Sequence, residues 1–216
     1  MAGSEQLKSL VQQSYDKIAQ EYNDWTSAIE SPRVPKLQDL LNHVPNSSEG
    51  AVLELGCGAG IPGTQLLASK FHKVVANDIS DAQIHLAKNN LKSDNVEFIA
   101  GDMTKLTFAP SNFDAVVAFY SIIHLPREEQ LDMFKQISSW LKPGGFLLCN
   151  LGTTDDPGKS VPWLGDAQMF WSGFDADKYH QILAESGFST TNSEIIPDNE
   201  DGKIVPFLWV LAKKST

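Results

Sequence analysis

A glycine-rich segment, ELGCGAGIPG at residues 54–63, has the residue types and the spacing best suited to binding a ligand. It lies between an apolar run and a predicted helix, so its glycines let the backbone approach a ligand at a helix N-terminus, where negative charge is favoured. Gly58, Gly60 and Gly63 fit the pattern G-x-G-x-x-G, and Asp78 follows 20 residues after Gly58. This spacing is typical of dinucleotide sites, in which the acid binds a ribose, so a dinucleotide is one candidate ligand.

A second interpretation of the same segment starts from Glu54 and takes Gly56, Gly58 and Gly60 as the glycines that contact the ligand. An acidic side chain at the end of a strand attracts a cationic group and repels a pyrophosphate. S-adenosylmethionine carries two such groups, an ammonium and a sulfonium. The spacing within this segment leaves both ligands possible.

The elements around the segment alternate between helix and strand. The spacing of apolar residues predicts an amphipathic helix over residues 7–22 and a short helix over 37–43. Apolar runs typical of buried parallel strands, separated by helical patterns, occur at 51–55, 73–78, 95–100, 113–120 and 145–150. Strict alternation of this kind indicates βαβ units and a parallel sheet with right-handed crossovers.

The end of the chain departs from this alternation. Two strand-like segments, 188–196 and 204–212, flank an Asp-Gly turn within 197–203, which predicts an antiparallel hairpin. Residues 151–173, before the hairpin, are rich in aromatic side chains and lack a clear pattern. Long loops of this kind commonly form lids or walls of binding sites, so we expect a loop beside the ligand.

Four motifs follow one another in register with the predicted strands. They are E-x-G-x-G-x-G at 54–60, Asp78 after the second strand, Gly-Asp-Met at 101–103 after the third, and Phe119 at the end of the fourth. With these motifs, residues 8–150 resemble the class I S-adenosylmethionine-dependent methyltransferases of the small-molecule type. The terminal hairpin agrees with that family's antiparallel last strand, whereas a dinucleotide dehydrogenase would not be expected to have it.

The resemblance implies a fold and a cofactor. The fold is α/β: a Rossmann-like three-layer sandwich with a seven-stranded, mostly parallel sheet and an antiparallel C-terminal hairpin strand. The cofactor is S-adenosylmethionine, which leaves as S-adenosylhomocysteine. The implied cofactor-binding residues are Tyr15, Tyr22, Glu54, Gly56, Gly58, Gly60, Asp78, Ile79, Asp102, Met103 and Phe119.

Within this set, the family assigns Asp78 to the ribose hydroxyls, Asp102 to the adenine amino group and Glu54 to the loop and the ammonium. Tyr15 and Tyr22, seven residues apart, lie on one helix face and would close over the methionine end. Plainer roles stay open for several members. Ile79 and Met103 suit an ordinary core, Asp102 a simple loop, and the two tyrosines an aromatic stripe that packs the helix.

The methyl acceptor is expected beside the loop that follows the fourth strand. Tyr120 and His124 are the predicted catalytic residues, because the pKa of a histidine lies near physiological pH and a hydroxyl acceptor needs a base. A structural role, in which His124 bonds a backbone carbonyl and shapes the loop, is the alternative. The predicted acceptor-binding residues, which equally suit a packed cap, are Trp163, Met169, Phe170 and Trp171.

Charge and cysteine content exclude several other classes of protein. The 216 residues include 17 Lys and Arg against 27 Asp and Glu, a net charge of −10, which disfavours nucleic acid and membrane surfaces as partners. The 2 cysteines and the spacing of the histidines indicate no metal site. Without an N-terminal apolar core or an apolar run of about 20 residues, a cytoplasmic protein is expected.

We expect one methyltransferase domain over residues 1–216. Its parts are a helical lid segment at 1–45, a cofactor-binding core at 50–150, a substrate-side loop at 151–173, and a helix with the terminal hairpin at 174–216. The predicted function is methyl transfer to a small-molecule acceptor by in-line displacement, in a monomer or a homodimer. The alternatives are a protein that binds S-adenosylmethionine but promotes a non-methylating reaction, and a partner of another enzyme.

Overall fold

Five parallel strands form the centre of the main sheet, and their C-terminal ends meet at the edge that carries the glycine-rich segment. The structure is a computed structural model that describes residues 3–29, 31–200 and 202–215. The strands are β1 (Ala51–Leu55), β2 (Lys73–Asp78), β3 (Val96–Ala100), β4 (Phe113–Ala118) and β5 (Leu141–Leu151).

Six α-helices occur in the described part of the chain. They are α1 (Ser4–Ala28), α2 (Arg33–His43), α3 (Gly63–Ala68), α4 (Asp81–Asn90), α5 (Arg127–Trp140) and α6 (Ala176–Glu185). None of the helices within these described ranges combines the length and the apolar composition needed to span a membrane. Helix α1 is longer than predicted. Helix α2 begins at Arg33, before the predicted start at residue 37. Pro35 is tolerated in its first turn because a backbone N–H at that position would have no partner within the helix.

Four more strands follow, in two hairpins: β6 (Asp156–Trp163) with β7 (Ala167–Gly173), and β8 (Phe188–Glu200) with β9 (Lys203–Lys214). Strand β9 pairs antiparallel with β5 and β8, giving the order β3-β2-β1-β4-β5-β9-β8. This confirms the predicted α/β fold with its seven-stranded sheet and antiparallel hairpin. Pairing between β8 and β9 continues from Pro197 to Glu200, so the turn is shorter than predicted.

Alternating side chains along the central strands face two layers of helices. Val52 packs in a cluster with Leu67 of α3, whereas the next residue, Leu53, packs in a second cluster with Phe134 of α5 and Ile182 of α6. This alternation is expected when successive strand residues point to opposite faces of a sheet. The sheet is therefore the middle layer of three.

The segment 151–173, predicted as a loop, is largely a separate two-stranded sheet formed by β6 and β7. The prediction was wrong because these strands gain their stability from packing against α1, which is remote in sequence. Met169 and Phe170 of β7 form one buried cluster with Val11 of α1. A second cluster joins Ile18 of α1 to the β6–β7 turn region. We call α1 together with β6 and β7 the N-terminal cap.

Candidate active site

The glycine turn after β1 is shaped by backbone conformations that favour glycine. Gly56, Gly58 and Gly60 have φ angles of 79°, 54° and 79°. The N–H groups of residues 56 and 57 both donate to the carbonyl of Asn77 at the end of β2, at 2.8 and 2.9 Å. A Cβ added to Gly56 would overlap the Cβ of Ser121 in the loop after β4. These two loops can approach so closely only because residue 56 has no side chain.

Asp78 anchors the turn from the neighbouring strand. Its carboxylate accepts hydrogen bonds from the N–H of Gly58 at 2.8 Å and from the N–H of Ser80 at 2.9 Å. Burial raises the pKa of Asp78 to about 6, although these hydrogen bonds favour the charged form. The carboxylate thus holds the turn and the start of α4 together at the edge of a cavity.

Glu54 and Gly60 lie outside the wall of that cavity. The buried Glu54 carboxylate accepts a 2.6 Å hydrogen bond from the Thr64 hydroxyl and ties β1 to α3. Burial raises the pKa of Glu54 to about 8. A Cβ on Gly60 would lie 3.3 Å from the Cβ of Ala87 on α4. The structure therefore gives both residues contacts that shape the turn, which is one of the two roles that the resemblance implied for Glu54.

The cavity itself lies between the turn and α1. Nine of the eleven predicted cofactor-binding residues line it, together with the predicted catalytic pair, Tyr120 and His124. Three further polar side chains in its wall carry buried atoms with no hydrogen-bond partner among the described residues: Asn77 Oδ1, both amide atoms of Gln83, and Ser121 Oγ. Because such atoms are costly when unpaired, this wall suits a ligand with several polar groups, as an amino acid or a nucleoside has.

Helix α1 closes this cavity through an ion-pair network that the sequence analysis missed. The ammonium of the buried Lys8 contacts Asp102 at 2.7 Å, Glu129 at 3.1 Å and the Thr104 hydroxyl at 3.3 Å. About 60 Å³ of free space remains beneath the helix. The sequence did contain an indication of this network. Lys8 lies on the same helix face as the apolar Val11, and a charged side chain on a buried face requires a partner of opposite charge.

Asp16 of α1 makes a second docking contact. Its carboxylate accepts a 2.6 Å hydrogen bond from the Ser80 hydroxyl and a 3.1 Å bond from the N–H of Ala82. These donors lie at the start of α4, where negative charge is favoured. Lys8 and Asp16 thus fix α1 over the loops that follow β2 and β3.

His124 uses both of its ring nitrogens. Nδ1 lies 2.8 Å from the carbonyl oxygen of Phe170, and Nε2 lies 2.9 Å from the hydroxyl of Tyr15. Burial lowers the pKa of His124 to about 4, so the ring is neutral at pH 7. The bond to a backbone carbonyl is the contact expected of a structural histidine, yet the second nitrogen faces another polar group of the site.

A second, larger cavity of about 450 Å³ adjoins the first. Tyr15, Tyr22, Tyr120 and His124 line both cavities and form the junction between them. The volume is within the range of small-molecule sites.

The predicted acceptor-binding residues divide into two pairs. Trp163 and Trp171 line the second cavity, whereas Met169 and Phe170 are buried against Val11 and lie outside its wall. The latter two were misplaced because the sequence does not show that α1 covers that part of β7. The Trp163 ring contacts four others edge-on or tilted, with centroids 5.5 to 6.1 Å away: Tyr15, Tyr22, Trp25 and Trp171.

Tyr120 is held by contacts from distant parts of the chain. Its φ angle is 51°, its N–H donates to Asn150 Oδ1 at 2.6 Å, and its hydroxyl donates to the buried Asp198 of β8. The Arg33 guanidinium lies 4.4 Å from the centroid of the ring. Burial and Asp198 raise the pKa of Tyr120. The sequence analysis missed Arg33 and Asp198, and no local pattern marks them.

The comparison with protein families agrees with this geometry. A family model described as a methyltransferase domain matches residues 52–145, the range that contains the glycine turn, Asp78, Asp102 and His124. The chain contains a class I S-adenosylmethionine-dependent methyltransferase domain. Of the two ligand classes left open by the glycine spacing, this family uses S-adenosylmethionine.

Sequence relatives of the methyltransferase domain are diverse. The sterol 24-C-methyltransferase of Saccharomyces cerevisiae is 31% identical over 164 residues, which are 69% of this chain and 42% of the yeast protein. The cypemycin N-terminal methyltransferase of a Streptomyces species is 33% identical over 158 residues, 71% of this chain and 61% of that protein. The chain thus spans less than two thirds of the length of these relatives.

A solved structure shares the fold over the whole chain. The 1,6-didemethyltoxoflavin-N1-methyltransferase of Burkholderia thailandensis superposes with a TM-score of 0.78. The match covers 100% of this chain and 92% of the other, at 19% sequence identity. At this identity the similarity concerns the fold.

The depressed pKa of His124 gives the methyltransferase domain a defined acid response. We expect the imidazole to titrate near pH 4 in a histidine NMR titration of the folded protein, against 6.5 for an exposed ring. Between these values the unfolded chain binds more protons than the folded one, so the contribution of His124 to stability is lost as pH falls through this window. Chemical denaturation of a His124→Gln variant should show a free energy of unfolding without this part of the pH dependence. A pKa near 6.5 for His124 in the folded protein would contradict its burial.

Proposed function

We propose that this protein transfers a methyl group from S-adenosylmethionine to a small-molecule acceptor. The observation that carries the proposal is the pair of adjoining cavities, which share a wall of three tyrosines and His124. One cavity is bordered by Asp78 and by the unpaired polar atoms of Asn77, Gln83 and Ser121. The other has the size of a small-molecule site and includes aromatic side chains in its wall. Methyl transfer requires a donor site and an acceptor site in direct contact.

The residues of the first cavity fit the cofactor in several respects. When bound, S-adenosylmethionine supplies an electrophilic methyl group on a sulfonium with a good leaving group. Asp78 would bind the ribose hydroxyls, and Gly56 and Gly58 would let the methionine part pass close to the backbone. Asn77, Gln83 and Ser121 supply unpaired polar atoms around the same space. The cavity is narrow beneath α1, so we expect the helix to move when the cofactor enters.

The second cavity favours an apolar or aromatic acceptor. Its wall includes the aromatic rings of Tyr22, Trp163 and Trp171, together with charged residues such as the ion pair of Asp156 and Lys159. Aromatic walls bind flat apolar molecules through large contact areas. The net charge of −10 supports an acceptor other than a nucleic acid. The relatives are named for chemically diverse acceptors: a sterol, the N-terminus of cypemycin and 1,6-didemethyltoxoflavin.

Calorimetric titration of the purified protein with S-adenosylmethionine, S-adenosylhomocysteine and NAD tests the cofactor. We expect the first two to bind and NAD to give no heat beyond dilution. A panel of small aromatic amines, phenols and thiols would then be screened for release of S-adenosylhomocysteine. Binding of NAD alone would refute the proposal. Cofactor binding combined with an acceptor that is converted without being methylated would favour the non-methylating alternative.

A further inference from the structure

A chain of hydrogen bonds runs from β7 to the junction of the two cavities. The carbonyl of Phe170 can only accept, so the 2.8 Å contact requires the hydrogen of the neutral His124 ring to reside on Nδ1. Nε2 is then an acceptor, and the Tyr15 hydroxyl, 2.9 Å away, donates to it. The tautomer of His124 and the direction of the Tyr15 hydroxyl therefore follow from a single backbone contact.

The Tyr15 hydroxyl oxygen can accept a further hydrogen bond in this arrangement. A phenolic oxygen that donates its proton still has lone pairs with which to accept a hydrogen bond. Tyr15 lines both cavities, so its side chain borders the cofactor and the acceptor at once. Its ring is fixed by edge-on contacts with Tyr22 at 5.3 Å and His124 at 5.4 Å, which limits the directions that the oxygen can face.

The other two tyrosines of the junction are coupled to different groups. The Tyr120 hydroxyl donates to the carboxylate of Asp198, and the Tyr22 hydroxyl interacts with the Arg33 guanidinium. Tyr15, in contrast, donates to an imidazole nitrogen that can accept its proton. Tyr15 and His124 therefore have the geometry of a proton relay at the junction.

We propose that Tyr15 is a catalytic residue that accepts the acceptor's proton through its hydroxyl oxygen, with His124 as the final proton acceptor; this rests on the proposed function. As the new bond to the methyl carbon forms, the electron pair of the carbon–sulfur bond leaves with sulfur. The hydrogen of the methylated N–H or O–H group passes to Tyr15 Oη, and the phenolic proton passes to His124 Nε2. The resulting imidazolium keeps its Nδ1–H bond to the Phe170 carbonyl and releases one proton to solvent when the cap opens.

The relay also defines the class of acceptor. A methylated atom that faces Tyr15 must bring a hydrogen, so the relay suits an aromatic amine, an amide-like ring nitrogen or a hydroxyl. Burial of His124 makes it a weak base. A weak base suffices for a hydroxyl, an aromatic amine or an amide-like ring nitrogen, because such an atom is strongly acidic after it has received a methyl group and while it still carries its hydrogen. Thioethers, tertiary amines and other acceptors without a transferable hydrogen would gain nothing from it.

The test compares Tyr15→Phe with Tyr22→Phe, a matched loss of a hydroxyl on the same helix face at the same junction. The first readout needs no acceptor: nitrogen-15 NMR of the histidine rings in the protein with S-adenosylhomocysteine. We expect His124 as the Nδ1–H tautomer, with an Nε2 signal that shifts in Tyr15→Phe and stays unchanged in Tyr22→Phe. The Nε2–H tautomer in wild type, or an unshifted signal in Tyr15→Phe, would overturn the proposal.

The second readout is turnover with an acceptor found in the release screen. Tyr15→Phe should lower kcat about 100-fold while the Kd for S-adenosylhomocysteine stays within about twofold, the effect typical of a lost proton acceptor. His124→Gln can still accept a hydrogen bond from Tyr15 but cannot take its proton, so it should show the same loss of kcat. Wild-type turnover in either variant would overturn the relay alone. Failure of wild type to bind S-adenosylhomocysteine would instead refute the proposed function and the relay with it.

Discussion

Replacement of Asp78 by alanine should weaken the binding of S-adenosylhomocysteine about 5- to 150-fold, a loss of about 1–3 kcal/mol. The carboxylate would lose its charge-assisted hydrogen bonds to the ribose, and the turn would lose the two backbone contacts, at Gly58 and Ser80, that hold it in place. Isothermal calorimetry at pH 7.5 measures the change directly. An unchanged dissociation constant would contradict the assignment of Asp78 to the cofactor.

Two controls separate this effect from a general loss of structure. Asp81→Ala removes an exposed carboxylate from the first turn of α4 and should leave the affinity unchanged. In wild type, the affinity should fall as pH drops below about 6, because the pKa of Asp78 is raised to about 6 and the protonated group is a poorer acceptor. Asp78→Asn should bind more weakly than wild type and lack this pH dependence.

Gly56→Ala should destabilise the protein by about 2–5 kcal/mol. A left-handed backbone costs an alanine about 1–2 kcal/mol, and overpacking of a close contact costs about 1–3 kcal/mol more. Both apply, since residue 56 has a φ of 79° and its added Cβ would overlap the Cβ of Ser121. Urea denaturation gives the difference in the free energy of unfolding.

Gly152→Ala is the matched control for this substitution. An added Cβ at residue 152 meets nothing within 4 Å, and its φ is outside the left-handed range. The free energy of unfolding should therefore change by no more than about 0.5 kcal/mol. If both substitutions changed the free energy of unfolding equally, neither the close contact of residue 56 with the loop after β4 nor its backbone conformation would affect stability.

Local spacing was sufficient to predict that several of the candidate site residues lie close together. The glycine turn, Asp78 and the Gly-Asp-Met motif each follow a strand directly, and the C-terminal ends of parallel strands meet at one edge of a sheet. Once the strands were recognised, the proximity of these residues followed from the topology. The terminal hairpin could also be predicted from the sequence, because strand alternation and an Asp-Gly turn are local patterns.

Contacts between remote segments could not be predicted in the same way. Lys8 contacts Asp102 although the two residues are 94 positions apart in the chain. Tyr120 likewise contacts both Arg33 and Asp198, which are far from it in the sequence. No periodicity links such pairs, since their contact depends on how α1, α2 and the terminal hairpin pack on the sheet. The same reason explains why Met169 and Phe170 were assigned to the acceptor site: their burial depends on α1.

The sequence by itself determined the fold class and the positions of the glycine turn and of the acids beside it, because short-range spacing controls strands, turns and helix starts. Only the tertiary structure decided that Tyr15 donates to His124, that β6 and β7 join α1 in a cap, and that a second cavity opens at the shared tyrosines. These features depend on packing between segments more than 100 residues apart, such as Tyr15 and His124. Packing of that kind is set by shape and burial over the whole chain, which no local pattern records.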